Sequence, residues 1–175
     1  MNSPVMCRCG AECIIKMFEN QWFIDYGNVE WKKDVHSLIN SMSIIPQEIK
    51  IEFHNTVDWL REKACARGSG MGTLLPWDNN WIIESLSDSV IYMAYYTISR
   101  LIKKHEIDPK NLSEEFFDYI FLGVGTLESV SIQTTIGKSI LEEFRNEFLY
   151  FYPLDSRHSG RDLVPNHLTF FVFNH

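Results

Sequence analysis

The last nineteen residues decide how this chain is read: Arg157-His158-Ser159-Gly160-Arg161-Asp162-Leu163-Val164-Pro165-Asn166-His167-Leu168-Thr169-Phe170-Phe171-Val172-Phe173-Asn174-His175. Asp162 is placed to cap a helix, its carboxylate accepting from the unpaired N–H groups of the first turn. Pro165 falls in that turn, where a missing N–H does no harm. From Leu168 to Phe173 five of six residues are large and apolar. No polar face is left, as in a helix buried on all sides. Such a helix needs neighbours, and the chain is expected to be a piece of something larger.

With 175 residues and 45% apolar content the chain has material for one sizeable core, and nothing in the composition suggests disorder. The formal charge of −7 speaks against this surface as the main grip on a polyanion, because nucleic-acid affinity rests on Lys and Arg at phosphates. Any RNA contact should be local. No stretch reaches the roughly 18 consecutive apolar residues of a membrane span, and the N-terminus lacks a signal-peptide pattern. A cytoplasmic location with no membrane partner is expected, and there the four cysteines are free thiols or metal ligands rather than disulfides.

Residues 1–20 read as a cysteine-bearing knuckle, Cys7-Arg8-Cys9-Gly10 with Cys13 following. Closely spaced thiolates share zinc, but closed sites want four ligands and Cys65 lies far downstream. A remnant knuckle is favoured over a zinc site. Gln21-Trp22-Phe23-Ile24-Asp25-Tyr26 reads as a strand. Helices follow from Val29 to about Met42 and from Gln47 to about Cys65. Gly68-Ser69-Gly70-Met71-Gly72, closed by Pro76, is a glycine-rich loop without G-x-G-x-x-G spacing. Asp78-Asn79-Asn80 offer caps for a long helix from Trp81 to Lys104, with Leu86, Val90, Ala94 and Ile98 on one stripe. Residues 21–104 are expected to be one portion, residues 105–150 a helical insertion ending in a helix from Lys138 to Phe148, and residues 151–175 a nucleotide-binding strand and helix.

Two other motifs fail on spacing. Gly137-Lys138-Ser139 resembles the tail of a P-loop, but the first glycine would fall at Ile132. Asp155, Ser156 and His158 are neighbours in sequence without a nucleophile elbow, so a serine hydrolase is excluded.

Several blocks, in order, carry a family resemblance. They are Cys7-Arg8-Cys9-Gly10, Gln21-Trp22-Phe23, Cys65-Ala66-Arg67, Gly72-Thr73, Leu75-Pro76-Trp77, Trp81-Ile82-Ile83-Glu84-Ser85-Leu86-Ser87-Asp88-Ser89, Tyr152-Pro153-Leu154-Asp155 and Ser159-Gly160 through Asn174-His175. Together they resemble leucyl-tRNA synthetases of the archaeal and eukaryotic cytosolic type. The resemblance implies an α/β, helix-rich piece of a Rossmann-like class I catalytic domain with a helical insertion, lying after the editing insertion and before the signature lysine loop. It implies ATP with Mg2+, leucine and tRNA(Leu) as partners of the whole enzyme. Neither H-I-G-H nor K-M-S-K-S occurs here, so this chain alone is expected to be inactive in the family's chemistry. That chemistry is attack of the leucine carboxylate on the α-phosphorus of ATP and transfer of leucine to the tRNA, governed by positioning and charge stabilisation.

The same resemblance implies one wall of the adenylate pocket. Gly160 would let adenine and ribose approach backbone, Asp162 would accept from ribose hydroxyls, and His167 would reach towards the nucleotide. Where bacterial-type enzymes carry a further histidine, this chain has Leu163. Met71, Gly72 and Leu86, with the polar Asp88-Ser89, are implied for the leucine side chain. Met71 as loop filler and Leu86 as helix core are the plainer alternatives. A free-standing, non-catalytic relative that binds an adenylate, a tRNA or a synthetase is the other function class. Because Leu168 to Phe173 make a large apolar surface, a concentration-dependent homodimer of the isolated chain, through the last helix and the sheet edge beside it, is expected.

Overall fold

The structure, a computed structural model, describes residues 4–15, 17 and 19–175. Its first layer is a helix pair. Strand β1 (Phe23–Ile24) ends in a turn where the Asp25 carboxylate accepts from Gly27 N–H at 3.0 Å. Asn28 then caps α1 (Val29–Ser41), accepting from Trp31 N–H at 3.0 Å, as a helix start of this composition requires. Helix α2 (Ile49–Trp59) follows.

Beyond α2 the chain turns extended. β2 (Lys63–Ala64) pairs antiparallel with β1, Phe23 facing Ala64. β3 (Ala66–Arg67), β4 (Leu74–Leu75) and β5 (Asp78–Ile83) form a second antiparallel sheet in the order β3-β5-β4. The helix expected to run to Cys65 therefore stops at Trp59, because this segment pairs with the opening strand; Cys65 N–H donates to Trp22 O at 3.0 Å.

The long helix expected from Trp81 to Lys104 is divided. Asp78 to Ile83 are strand, with Ile82 facing both Arg67 and Leu74. Asp78-Asn79-Asn80 cap nothing. The cap falls to Glu84, whose carboxylate accepts from Leu86 N–H at 2.8 Å and starts α3 (Ser85–Ser89). Helix α4 (Tyr92–Lys104) carries the rest of the stripe. Aromatic and β-branched residues at 81–83 fit a pleated surface better than a helix.

The remaining helices are α5 (Glu114–Phe117), α6 (Leu127–Thr134) and α7 (Lys138–Phe151), the last running past its expected end at Phe148. Ile98 and Leu101 of α4 pack with Phe116, Ile120, Leu141 and Phe144 into one core. A separate core joins Tyr26, Val35, Ile39, Phe53, Val57 and Val90 to the C-terminal segment. Among the described residues all sheet pairings are antiparallel, so the parallel sheet of a Rossmann-like fold is not among them.

The C-terminal segment differs from a single helix capped at Asp162. A tight turn over Arg161–Leu163 leads into a wide turn over Val164–Leu168, where Asn166 has non-helical angles of φ −136° and ψ −109°. Asp162 makes no capping bond. Helix α8 begins only at Thr169 and ends at Asn174. Its burial is as the composition demands: Thr169 to Phe173 are all buried, and Thr169 satisfies its hydroxyl by donating to Val164 O at 2.5 Å. The chain itself supplies the cover. Tyr26 lies 4.8 Å from Phe170 and 5.1 Å from Phe173, and Trp31 donates from Nε1 to Phe173 O at 2.9 Å. The apolar surface on which a dimer would form is filled from within.

Phe170→Ala should lower the unfolding free energy by about 3–5 kcal/mol, the range for emptying an aromatic site in a packed core. Urea denaturation followed by tryptophan fluorescence measures it.

Candidate functional site

The C-terminal segment and the end of α2 face each other across a cleft of about 810 Å3. Residues 59–63 form one wall; Asp162, Pro165, Asn166 and Phe170 form the other. The first wall is fixed by cations on the last carbonyls of α2. Lys32 reaches across from α1 to Asp58 O at 3.1 Å and Leu60 O at 2.8 Å, and Arg61 donates to the same two carbonyls at 3.0 and 2.9 Å. Positive groups belong at the open end of a helix dipole. Burial and then the nearby Arg61 push the Lys32 ammonium below its ordinary value.

The second wall is held from both sides. Arg161 pairs with Glu52 of α2, and the Lys63 ammonium sits 5.2 Å over the Phe170 ring, within cation–π range. At Gly160 an added Cβ would meet the tip of the Asp162 carboxylate, which would have to turn aside. The cleft thus presents a carboxylate on one wall, two cations beside an acid (Arg61, Lys63 and Glu62) on the other, and aromatic surface at Trp59. Such groups accept from hydroxyls, pair with an anion and pack against a flat ring.

His167 lies elsewhere. Its Nε2 is 3.3 Å from Ser89 O; a carbonyl only accepts, so Nε2 carries the hydrogen. Its Nδ1 is buried without a partner. His175 likewise donates from Nε2 to Val90 O at 2.7 Å, with its ring 4.1 Å from Phe171. Burial pushes the His175 imidazole below its ordinary value. The fold therefore brings His167 to Ser89, and so joins the segment expected at the nucleotide to the end of α3, while only Asp162 of the nucleotide set stands on the cleft.

The residues expected around leucine are less convergent. Met71 is 92% exposed in the β3–β4 loop, where Arg67 donates to its carbonyl. Leu86 is partly buried against the first core. Asp88 is exposed, and its backbone carbonyl receives Ile91 N–H at 3.1 Å. Gly72 is needed for close approach, since a Cβ there would come 2.6 Å from Ile82 Cγ2.

The cysteine knuckle forms a tight hairpin. Cys7 N–H donates to Ala11 O at 2.8 Å, Gly10 N–H to Cys7 O at 2.9 Å, and Gly10 takes φ +84°. Cys9, through its backbone N–H and its thiol, holds the Cys7 thiol below its ordinary value. Cys7, Cys9 and Cys13 are exposed and Cys65 is half-buried. Among the described residues no three His, Cys, Asp or Glu side chains converge as metal ligands. No helix among the described residues is long and apolar enough to cross a membrane.

Sequence reasoning missed the wall at residues 59–63 because Arg61-Glu62-Lys63 continue the helical pattern of α2. Their density of charge just past Trp59 was the available signal, since cations gather where helix carbonyls are left open.

No protein-family model matches the chain. Individual proteins do, and they are aminoacyl-tRNA-forming ligases. The chain is 57% identical over all 175 residues to leucine–tRNA ligase 2 of Saccharolobus solfataricus, of which it spans 18%. It is 56% identical, again over 175 residues and 18% of the relative, to leucine–tRNA ligase of Pyrobaculum arsenaticum. With leucine–tRNA ligase of Methanococcus maripaludis it is 57% identical over 171 residues, 98% of this chain and 18% of that one. By sequence the chain belongs to the leucine–tRNA ligase family, as the homologue of one segment of such an enzyme of the archaeal type.

Gly72→Ala should cost about 1–3 kcal/mol, the usual penalty for forcing a methyl into filled space. A thermal melt beside the wild type checks it.

Proposed function

We propose that this chain is the part of a leucine–tRNA ligase that supplies one wall of the ATP and leucyl-adenylate pocket during attachment of leucine to tRNA(Leu). The carrying observation is the cleft on which Asp162 stands, in a chain homologous from end to end to such enzymes. In this reading the Asp162 carboxylate accepts from the ribose hydroxyls, Gly160 leaves the backbone open to the nucleoside, and the exposed Trp59 ring packs the flat base. Arg61 and Lys63 offer the positive charge that a phosphate brought with its Mg2+ would meet. His167 acts one step back, holding α3 and with it Leu86, Asp88 and Ser89 on the leucine side, while Met71 and Gly72 close that side from the loop. The whole belongs to a Rossmann-like catalytic domain.

Catalysis is not expected from this chain by itself. Half of a pocket lacks the convergent contacts that bury most of a ligand, and the two phosphate-stabilising motifs of the family do not occur in its sequence. Purified chain should show no leucine-dependent exchange of pyrophosphate into ATP. Exchange above background that disappears in Asp162→Ala would overturn this. Calorimetry with a non-hydrolysable leucyl-adenylate analogue should give an affinity no tighter than about millimolar, roughly −4 kcal/mol, reduced further in Asp162→Asn. Equal binding by wild type and variant would remove Asp162 from the site.

A further inference from the structure

Helices α1 and α2 meet along a polar seam with a regular step. Lys32, His36 and Asn40 follow one another every fourth residue on α1; Asp58, His54 and Lys50 do the same in reverse on α2. Side chains four apart share one helix face, so the two rows oppose as three rungs. At one end Lys32 donates to Asp58 O at 3.1 Å; at the other Lys50 donates to Asn40 O at 3.0 Å. The middle rung is the histidine pair. His36 Nδ1 and His54 Nδ1 are 2.7 Å apart, and His36 Nε2 is 3.0 Å from Asp58 Oδ1. The ring centroids are 4.9 Å apart with the planes 21° from parallel. That separation exceeds the nitrogen separation by about two ring radii, so the rings meet head to head rather than face to face.

Proton positions follow from this geometry. A carboxylate only accepts, so His36 carries its hydrogen on Nε2, and when neutral its Nδ1 is a bare lone pair. The 2.7 Å contact then requires His54 to donate from Nδ1, the less common place for the hydrogen of a neutral imidazole. One added proton is tolerated: His36 becomes an imidazolium donating to Asp58 and to His54, and His54 moves its hydrogen to Nε2. A second added proton puts hydrogens on both facing nitrogens, and the bond cannot exist.

We propose that His36 and His54 form an acid-sensitive latch between α1 and α2, closed while the pair is neutral or singly protonated and opened by the second proton. The neighbourhood favours opening in acid. The seam's charged groups are Lys32 of α1, Lys50 and Asp58 of α2, and Arg61 just beyond α2, with Asp25 also near Lys32, so cations outnumber acids. Glu30 and Lys33 of α1 pair with each other, the C-terminal turn brings Arg161, already paired with Glu52, and Asp162, which stands on the cleft with Arg61, and α8, packed on both helices, brings no charged side chain. Burial, and next His36 and Lys50, hold His54 below its ordinary value against the opposite pull of Asp58. The latch also governs the cleft, because the same seam carries Lys32 to the carbonyls of Asp58 and Leu60. Opening it frees the wall at residues 59–63, whatever ligand the cleft takes.

The sign is fixed by linkage. The unfolded chain binds two protons at the pair in acid and the closed latch only one, so stability is complete above the ordinary histidine value of 6.5 and falls as pH drops below it. Two-bond proton–nitrogen spectra of histidine-labelled chain at about pH 7.5 should show His54 as the Nδ1–H tautomer and His36 as Nε2–H. Urea titrations below about pH 6.5 should show the wild-type unfolding constant rising more steeply than that of His54→Gln, by up to about tenfold per pH unit. Nε2–H at both residues, or parallel pH curves for the two proteins, would overturn the latch. Should His54→Gln fail to fold, His36→Gln provides the same comparison, and the wild-type spectra decide the proton positions without any variant.

Discussion

Everything in the first core rests on the closure of α8 over Tyr26 and Trp31. Tyr26 stacks on Trp31 with centroids 5.3 Å apart and meets two rings of α8; Trp31 meets Phe173 at 5.1 Å and donates to its carbonyl. Aromatic pairs of this kind add to the burial of large apolar area. The indole N–H also satisfies the Phe173 carbonyl of α8. From this closure follow the facing walls of the cleft, since α8 and the turns before it carry Asp162 and Phe170 opposite the end of α2.

What the sequence makes legible is what depends on neighbours in the chain. Helix α1, expected from Val29 to about Met42, is found at Val29–Ser41, with Val35 and Ile39 buried on one face. The burial of Phe170 to Phe173 is visible from composition alone. Strand β5 is not, because Trp81-Ile82-Ile83 continue into a stripe with helical spacing, and only pairing with β3 and β4, supplied from up to seventeen residues away, decides for strand. Propensity loses there to tertiary pairing. The start of α8 fails for a related reason: Asp162 has the right chemistry for a cap, but Arg161 is drawn to Glu52 of α2 and the backbone is held in turns until Thr169.

The candidate site divides along the same line. Asp162 and Gly160 are proposed from a motif, and of the two only Asp162 lines the cleft. His167 is found by motif but is turned to Ser89 by packing, which no local pattern encodes. Residues 59–63 and Lys32 belong to no motif. They matter because the last carbonyls of α2 are open and cations lie within reach, a fact about helix ends in space rather than about order along the chain. The cysteine hairpin shows the converse: spacing and glycine give the turn, while convergence of ligands requires groups that neighbours in sequence do not provide.

The bond from Trp31 to Phe173 joins residues 142 apart in the chain. Closing so long a loop costs conformational entropy before any contact rewards it, and contacts of this span slow folding. The second core, by contrast, is drawn from residues 98 to 148, all of which lie inside that loop. Once it has formed, the segment between the two ends of the first core is already compact, and the remaining closure is correspondingly cheaper. The helical portion in the middle of the chain therefore acts as a spacer that shortens the search by which Trp31 finds the last helix, a kinetic role separate from any contact it makes with a ligand.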